Sequence, residues 1–163
     1  MPKKEILESD VIDIDSYIKD RVSIKKKIKQ HKNNRRVHVG PHATFYFESF
    51  DTMLYQVQEM LYIERGGKEQ LQDELKAYNP LIPNGKSLVV TLMFEIDNPN
   101  VRKEFLNSIG GIEKNTFIQV DNQKVYSRAE DDTDRTNEDG KASSVHFLHF
   151  DFDESQIKLF SDM

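Results

Sequence analysis

The 163-residue chain contains no cysteine and no tryptophan. Without cysteine it can form no disulfide, no iron–sulfur cluster held by thiolates, no CxxC redox centre and no cysteine nucleophile. Apolar runs are short, since none approaches the roughly 18 residues that cross a bilayer. The N-terminus MPKKEILESD also lacks the apolar core of a secretory signal. We therefore expect a cytoplasmic protein without a membrane span, in which any metal would need histidine and carboxylate ligands.

Glycine-rich motifs that bind nucleotides or phosphate are absent as well. Neither GxGxxG nor GxxxxGK occurs, so the sequence gives no basis for a dinucleotide cofactor or a phosphate loop. No GxSxG elbow supports a hydrolase. The stretch DDTDRTNEDG lacks the glycine at the sixth position of an EF-hand loop. These absences leave open whether the protein is an enzyme at all.

The apolar content is sufficient for one packed core. Hydrophobic residues make up 37% of the chain and include ten phenylalanines and six tyrosines. The length is close to that of one domain. No internal repeat and no linker rich in proline, glycine or serine divides the sequence. We predict a single domain over residues 1–163.

The net charge of -5 conceals a strong asymmetry. Eight basic and no acidic residues lie between Arg21 and Arg36, whereas six acidic residues and one arginine lie between Glu130 and Asp139. These could be two solvated surfaces, or the basic one could dock an acidic partner. The candidate docking residues are Lys25, Lys26, Lys29, Arg35 and Arg36. No aromatic residue interleaves with them to stack on bases, so nucleic acid is an unlikely partner.

Hydrophobic periodicity predicts helices that alternate with strands. Residues 1–34 form a basic N-terminal segment that is mostly helical, and two short strands meet at Gly40-Pro41. Asn98-Pro99 is typical of a capped helix start, and residues 130–142 are expected to form a flexible acidic loop. Other predicted helices begin near Asp51 and Lys68, and other strands cover about 88–96, 116–120, 124–128 and 145–152. The order fits an α+β domain with a mainly antiparallel sheet and three or four helices.

Three segments carry a resemblance to a known family. GPHATFYFESFDTMLYQVQEML, then YNPLIP, then a strand that ends in FEI resemble the bacterial DUF3501 family, a domain of unknown function. The resemblance covers nearly the whole chain and is weakest in the acidic segment after Arg128. The family has no assigned activity. Its members are often encoded beside rubrerythrin-like and iron–sulfur proteins, which implies a redox partner of that kind and supplies no catalytic residue.

Two histidines flank the Gly-Pro turn. His38 and His42 are four residues apart, and with a carboxylate such as Glu48 or Glu59 they could bind a divalent metal such as zinc or iron. The metal set that we predict is His38, His42 and Glu59. The alternative is that these are ordinary strand histidines, exposed or hydrogen-bonded. Later in the chain, His149 shares a strand face with Asp151 and could form a His-Asp couple.

Gln56 and Glu59 occupy one side of the second helix, away from its apolar stripe. If that side packs on the sheet, burial would raise the pKa of Glu59, and the carboxyl group could act as an acid or a base. Alternatively, this side hydrogen-bonds a neighbouring loop at Tyr78 and Asn79. The pocket hypothesis also requires the turn at Gly40-Pro41 to fold back over the helix.

Two functions follow from these observations. The first is an accessory or binding protein that acts with a redox partner, docked through the basic helix and the Gly-Pro hairpin. The alternative is a small metal-binding protein or enzyme with a pocket between helix and sheet. The residues that would line this pocket are His42, Glu48, Gln56, Glu59, Tyr78 and Asn79.

Overall fold

The computed structural model describes residues 3–130 and 144–162. Its elements divide into two units that each use two stretches of chain. Met1–Arg35 and Glu48–Asn84 form a helical unit, and Arg36–Phe47 and Gly85–Met163 form a sheet unit. The prediction of one domain stays a prediction. Most of the predicted acidic loop, from residue 131 to 142, lies outside the described residues.

The helical unit contains three α-helices whose ends have local causes. They are α1 (Ile14–Asn33), α2 (Phe50–Glu64) and α3 (Gly67–Tyr78). The side chain of Asp13 accepts a hydrogen bond from the Ser16 amide at the start of α1, and Ser49 caps α2 in the same way. Such caps satisfy amides that have no partner within the helix. α2 is followed by its C-cap, Arg65, which adopts the left-handed conformation.

The core of the helical unit lies mainly along α2 and α3. α1 is amphipathic only weakly, and Tyr17 is its one buried residue. The apolar side chains that are buried in this unit are Ile6, Tyr17, Met53, Val57, Leu61, Leu71, Leu75, Leu81 and Ile82. The lysines of α1 consequently remain at the surface over most of its length.

The sheet unit is built on a five-stranded antiparallel sheet with the order β1-β2-β3-β7-β6. Its strands are β1 (Arg36–Val39), β2 (Ala43–Phe47), β3 (Ser87–Phe94), β6 (Arg128–Ala129) and β7 (Val145–Asp151). A separate antiparallel pair is formed by β4 (Phe117–Val120) and β5 (Gln123–Tyr126). The helices are α4 (Pro99–Ser108) and α5 (Glu154–Ser161). Gly40, with φ of 66°, allows the tight connection between β1 and β2.

One face of the five-stranded sheet, which we call the core face, carries the main hydrophobic core of this unit. Alternate residues of β3 and β7 point to it. They pack with Leu106 of α4 and Val125 of β5, and the buried cluster also contains Val90, Leu92, Phe94, Leu148 and Phe150. The register places Val37 of β1 and Phe45 of β2 in line with Leu92, so the same face extends to the sheet edge.

The α+β class and the mainly antiparallel sheet are confirmed. The described residues contain five α-helices rather than the three or four predicted, because α5 was missed. A capping box between Asp153 and Gln156 begins α5. In the part of the chain that the structure describes, none of the helices combines the length and the apolar character of a membrane span.

Candidate functional site

Glu59 of α2 lies at the centre of a hydrogen-bond network in the helical unit. Its Oε2 accepts from the Tyr17 hydroxyl at 2.7 Å and from Arg21 Nε at 3.0 Å. Its Oε1 accepts from Arg21 Nη2 at 2.9 Å and from the Tyr55 hydroxyl at 3.0 Å. The guanidinium of Arg21 also stacks over the ring of Tyr62, 4.4 Å from its centroid. The network therefore ties α1 to α2 through a carboxylate that accepts four hydrogen bonds.

This environment sets the charge of Glu59. Hydrogen bonds from Arg21, and then from Tyr17 and Tyr55, lower the pKa of Glu59 to about 2 even though burial opposes the shift. Burial and the bond to Glu59 raise the pKa of Tyr17, so that this hydroxyl remains a donor. The predicted raised pKa of Glu59 is wrong, because a paired guanidinium outweighs desolvation. A carboxylate that stays ionised throughout the neutral range is poorly suited to acid–base chemistry there.

Gln56 and Asn79 are two other predicted pocket residues, and both form hydrogen bonds within the helical unit. Gln56 Nε2 lies 3.4 Å from the Tyr78 hydroxyl, as the alternative hypothesis for this helix side expected. The Asn79 side chain instead accepts from the Ile6 amide at 2.7 Å and donates to the Ile6 carbonyl at 3.2 Å. Asn79 therefore holds the N-terminal segment by two backbone hydrogen bonds.

Gln58 also holds the N-terminal segment, at Ile12, and the sequence analysis did not select this residue. Its side chain accepts from the amide of Ile12 at 2.7 Å and donates to its carbonyl at 3.3 Å. Gln58 is buried at 5% exposure. Gln58 directly follows Val57 in the apolar part of α2, and this position could have indicated that the side chain is buried. A buried glutamine requires hydrogen-bond partners.

Glu48 and Arg35 meet close to the start of α2. The Thr52 hydroxyl donates to the carboxylate of Glu48, and Arg35 Nη2 donates to the backbone carbonyl of Glu48 at 3.1 Å. His31 of α1 lies 2.9 Å from Ser49 Oγ through its Nε2. One hydrogen bond of the Arg35 side chain therefore stabilises the helical unit. Among the other predicted docking residues, Lys25, Lys26, Lys29 and Arg36 are exposed.

The two histidines of the Gly-Pro hairpin also have partners in their own unit. His38 Nδ1 lies 2.9 Å from Thr44 Oγ1, and the His42 ring packs edge-on against Phe105 with 5.0 Å between centroids. Over residues 3–130 and 144–162, no three histidine, aspartate or glutamate side chains are grouped so that they could hold a metal ion. The structure thus provides no ligand group for the metal predicted at His38, His42 and Glu59.

The histidines of β7 are buried, and His149 does not pair with Asp151. His149 Nε2 contacts the carboxylate of Glu130, whereas Asp151 accepts from Arg128 Nε at 2.8 Å. The bond from Arg128 lowers the pKa of Asp151. The His-Asp couple that the strand face allowed is not formed as a hydrogen-bonded pair among the described residues, because each side chain bonds a different partner. His146 packs edge-on against Phe94 on the core face.

A cavity of about 400 Å³ lies between α1 and α2. Its apolar walls include Ile24, Ile28 and Leu54, and its charged residues are Asp10, Lys27 and Asp51. Lys3 bonds Asp10 and lowers the pKa of that carboxyl group. Because the remaining charges have both signs, this cavity favours no ligand of one charge.

The sheet unit has an apolar groove that the sequence analysis did not identify. It encloses about 440 Å³, a volume typical of binding sites. Its floor is the core face where β1 and β2 form the sheet edge, with Val37, Val39, Phe45 and Phe47. The segment from Ile112 to Ile118 forms the opposite wall. We call this cavity the β1 groove.

The rim of the β1 groove exposes apolar side chains to water. Val37 is 50% exposed, Val39 is 54% exposed and Phe117 is 40% exposed. Lys124 Nζ lies over the ring of Phe117 at 4.6 Å. The groove exists because the core face of the sheet extends beyond the side chains that cover its centre. No local sequence pattern indicates which part of a sheet face stays uncovered. An apolar patch of this kind is a candidate interaction site.

The chain is similar to proteins of unknown function. A crystal structure at 1.90 Å resolution of a novel protein of unknown function from Burkholderia pseudomallei K96243 superposes on it with a TM-score of 0.89. The two sequences are 33% identical, and the match covers 96% of this chain and 82% of the other. No curated protein matches the chain. The model of the family "Protein of unknown function (DUF3501)" matches residues 5–163. The resemblance seen in the sequence is therefore confirmed, and the chain belongs to the DUF3501 family.

Proposed function

We propose that this protein is an accessory binding protein that holds a segment of a partner protein in the β1 groove. The observation that supports the proposal is the apolar groove of about 440 Å³ beside the half-exposed Val37 and Val39. Exposed apolar side chains that are contiguous with a groove are typical of interaction sites, because water leaves both surfaces when a partner binds.

The polar candidates give less support to an enzyme. Glu59, Asn79 and Glu48 are each engaged by neighbours in the helical unit. Glu59 also has a lowered pKa, whereas a general base works best with a pKa near the operating pH. A binding role needs no further chemistry from these residues.

The family resemblance favours a rubrerythrin-like or iron–sulfur redox protein as the partner. The lack of long apolar runs in the sequence favours the cytoplasm as the place where they meet. The exposed lysines of α1, which include Lys25, Lys26 and Lys29, would add attraction at long range to an acidic partner. Such attraction is screened over about 8 Å at physiological ionic strength. It would raise the rate of encounter more than the affinity.

A photo-crosslinking amino acid placed at position 39 tests the proposal in the cells that encode the protein. The same amino acid at position 22 is a matched control, since Val22 of α1 is 85% exposed and lies outside the groove. We expect one protein to crosslink through position 39 and not through position 22. Equal or absent crosslinking at the two positions would overturn the proposal.

Binding of the purified crosslinked protein then provides a quantitative check. Val39→Lys places an ammonium group at the rim of the apolar groove, and we expect at least about tenfold weaker binding. Val22→Lys makes the same change outside the groove and should bind like the wild type. Equal affinities of the two variants, measured by isothermal titration calorimetry, would contradict a role for the groove.

A further inference from the structure

Strand β1 is an edge that can accept another strand. In the described part of the sheet, β1 is hydrogen-bonded on one side only, to β2. All four of its residues are exposed. The backbone amides and carbonyls on the outer side of an edge strand can pair with an extended segment from another molecule.

The two faces of β1 differ in chemistry. Val37 and Val39 line the groove on the core face, whereas Arg36 and His38 alternate with them and point to the opposite face. On that opposite face the carboxylate of Glu95 is engaged at 3.1 Å by the hydroxyl of Tyr46. An added strand would therefore place every second side chain beside the valines and the others beside Arg36 and His38.

Side chains that face each other across strands select their partners. Apolar residues of the added strand would cover Val37 and Val39 and fill the groove, while acidic residues on the other face would pair with Arg36 and lie beside His38. Opposite charges on neighbouring strands stabilise pairing, and like charges destabilise it. The edge thus favours one alternating pattern over others.

A second copy of this chain does not fit the edge well. When two β1 strands pair around a two-fold axis, each residue faces one that points to the same side of the sheet. The registers that satisfy this condition place His38 opposite His38, Arg36 opposite His38, or Arg36 opposite Arg36. None of these registers gives Arg36 an acidic neighbour on the added strand, so a partner segment with acidic residues fits the edge better than a second copy does.

We propose that the partner segment is an extended stretch in which apolar residues alternate with aspartate or glutamate, and that it adds as a sixth strand beside β1. This inference rests on the proposed function and names the chemistry of the segment that the β1 groove accepts. The apolar side chains enter the groove beside Val37 and Val39, and the acidic ones lie beside Arg36 and His38.

Short labelled peptides test this inference on the full chain. The probe is a peptide of about seven residues, with blocked ends and alternating valine and glutamate. Its affinity is measured by fluorescence anisotropy and its position by amide chemical-shift changes in β1. A valine–lysine peptide tests charge. A valine–glutamate peptide N-methylated at alternate residues tests backbone pairing, because methylation removes the donors.

We expect the valine–glutamate peptide to bind about threefold to tenfold more tightly than the valine–lysine peptide, since the charge that faces Arg36 changes sign. Arg36→Glu should weaken the first peptide about threefold to tenfold and strengthen the second. Lys68→Glu on the exposed surface of α3 is the matched charge-reversal control and should leave the preference unchanged. Circular dichroism confirms that each variant is folded.

The outcomes separate the inference from the proposed function. Equal binding of the two peptides, or retained binding after N-methylation, would overturn the added acidic strand. If Val39→Lys weakens binding of the crosslinked partner but Arg36→Glu does not, the inference is overturned and the proposed function stands. If position 39 gives no crosslink and neither peptide binds, both fall.

Discussion

Acid should destabilise the protein through Glu59. The pKa of this carboxyl group is about 2 in the folded protein and has an ordinary value of 4.5. Because the folded pKa is the lower of the two, the ionised form contributes stability above about pH 4.5. This contribution is lost as the pH falls from about 4.5 toward 2. The cause is the set of hydrogen bonds from Arg21, Tyr17 and Tyr55.

The size of the contribution follows from the difference between the two pKa values. At 1.36 kcal/mol for each pKa unit, the difference corresponds to roughly 3 kcal/mol. The side chain of Glu59 is 12% exposed and that of Arg21 is 29% exposed, so that solvent screens part of the interaction. We therefore expect about 2 kcal/mol from the ionised Glu59 at neutral pH.

Glu59→Gln is the perturbation that tests this reasoning. Glutamine has almost the same shape but cannot hold the charge of Arg21, so the free energy of unfolding should fall by about 2 kcal/mol near pH 7. As the pH falls below about 4.5, the wild type loses this advantage, and the two proteins should approach equal stability. The measurement is urea unfolding at a series of pH values, followed by circular dichroism.

Glu64→Gln on the same helix is the control, because Glu64 is exposed and its carboxylate accepts one hydrogen bond from the described residues, from Gln70 at 3.1 Å. Its effect should remain below about 0.5 kcal/mol at every pH. A loss for Glu59→Gln that stays constant as the solution is acidified would refute the charge-based reasoning. So would a loss no larger than that of the control.

Two further predictions concern a part-buried contact and an exposed one. Asn79→Ala should lower the free energy of unfolding by about 1–3 kcal/mol and speed hydrogen exchange at the Ile6 amide, because Ile6 loses both side-chain partners. Unchanged exchange at Ile6 would argue against the double hydrogen bond. Arg128→Ala should change stability by less than about 0.5 kcal/mol, since Arg128 and Asp151 are 50% and 56% exposed. A loss above about 1 kcal/mol in urea unfolding would contradict that expectation.

The fold was predictable wherever local signals agree. The alternation of Val37 and Val39 and of Phe45 and Phe47, separated by a glycine, predicted a hairpin or a sharply bent strand, and the structure has the hairpin. Asn98 caps α4 with Pro99 in its first turn, as the sequence indicated. α5 was missed because its eight residues are few for a periodic signal, although Asp153 was a readable cap.

The candidate site was predicted less well, because it depends on contacts between distant residues. Arg21 lies 38 positions before Glu59, and no spacing rule connects residues so far apart. The sequence showed that Glu59 lay off the apolar stripe, but the sign of its pKa shift depends on the guanidinium that reaches it. Asn79 was chosen as a binding residue and instead binds Ile6. The groove escaped prediction because it results from partial covering of a face.

The path of the chain has a practical consequence for dissecting this protein. Residues 36–47, which form the β1–β2 hairpin, are inserted between α1 and α2, so that neither unit is a continuous stretch of sequence. Cutting the gene after Asn84 would give a fragment that keeps β1 and β2 but loses β3, the neighbour that β2 requires. The severed hairpin would present unsatisfied backbone groups along β2 and invite aggregation. Experiments that aim to assign binding to one half should therefore use point substitutions in the intact polypeptide.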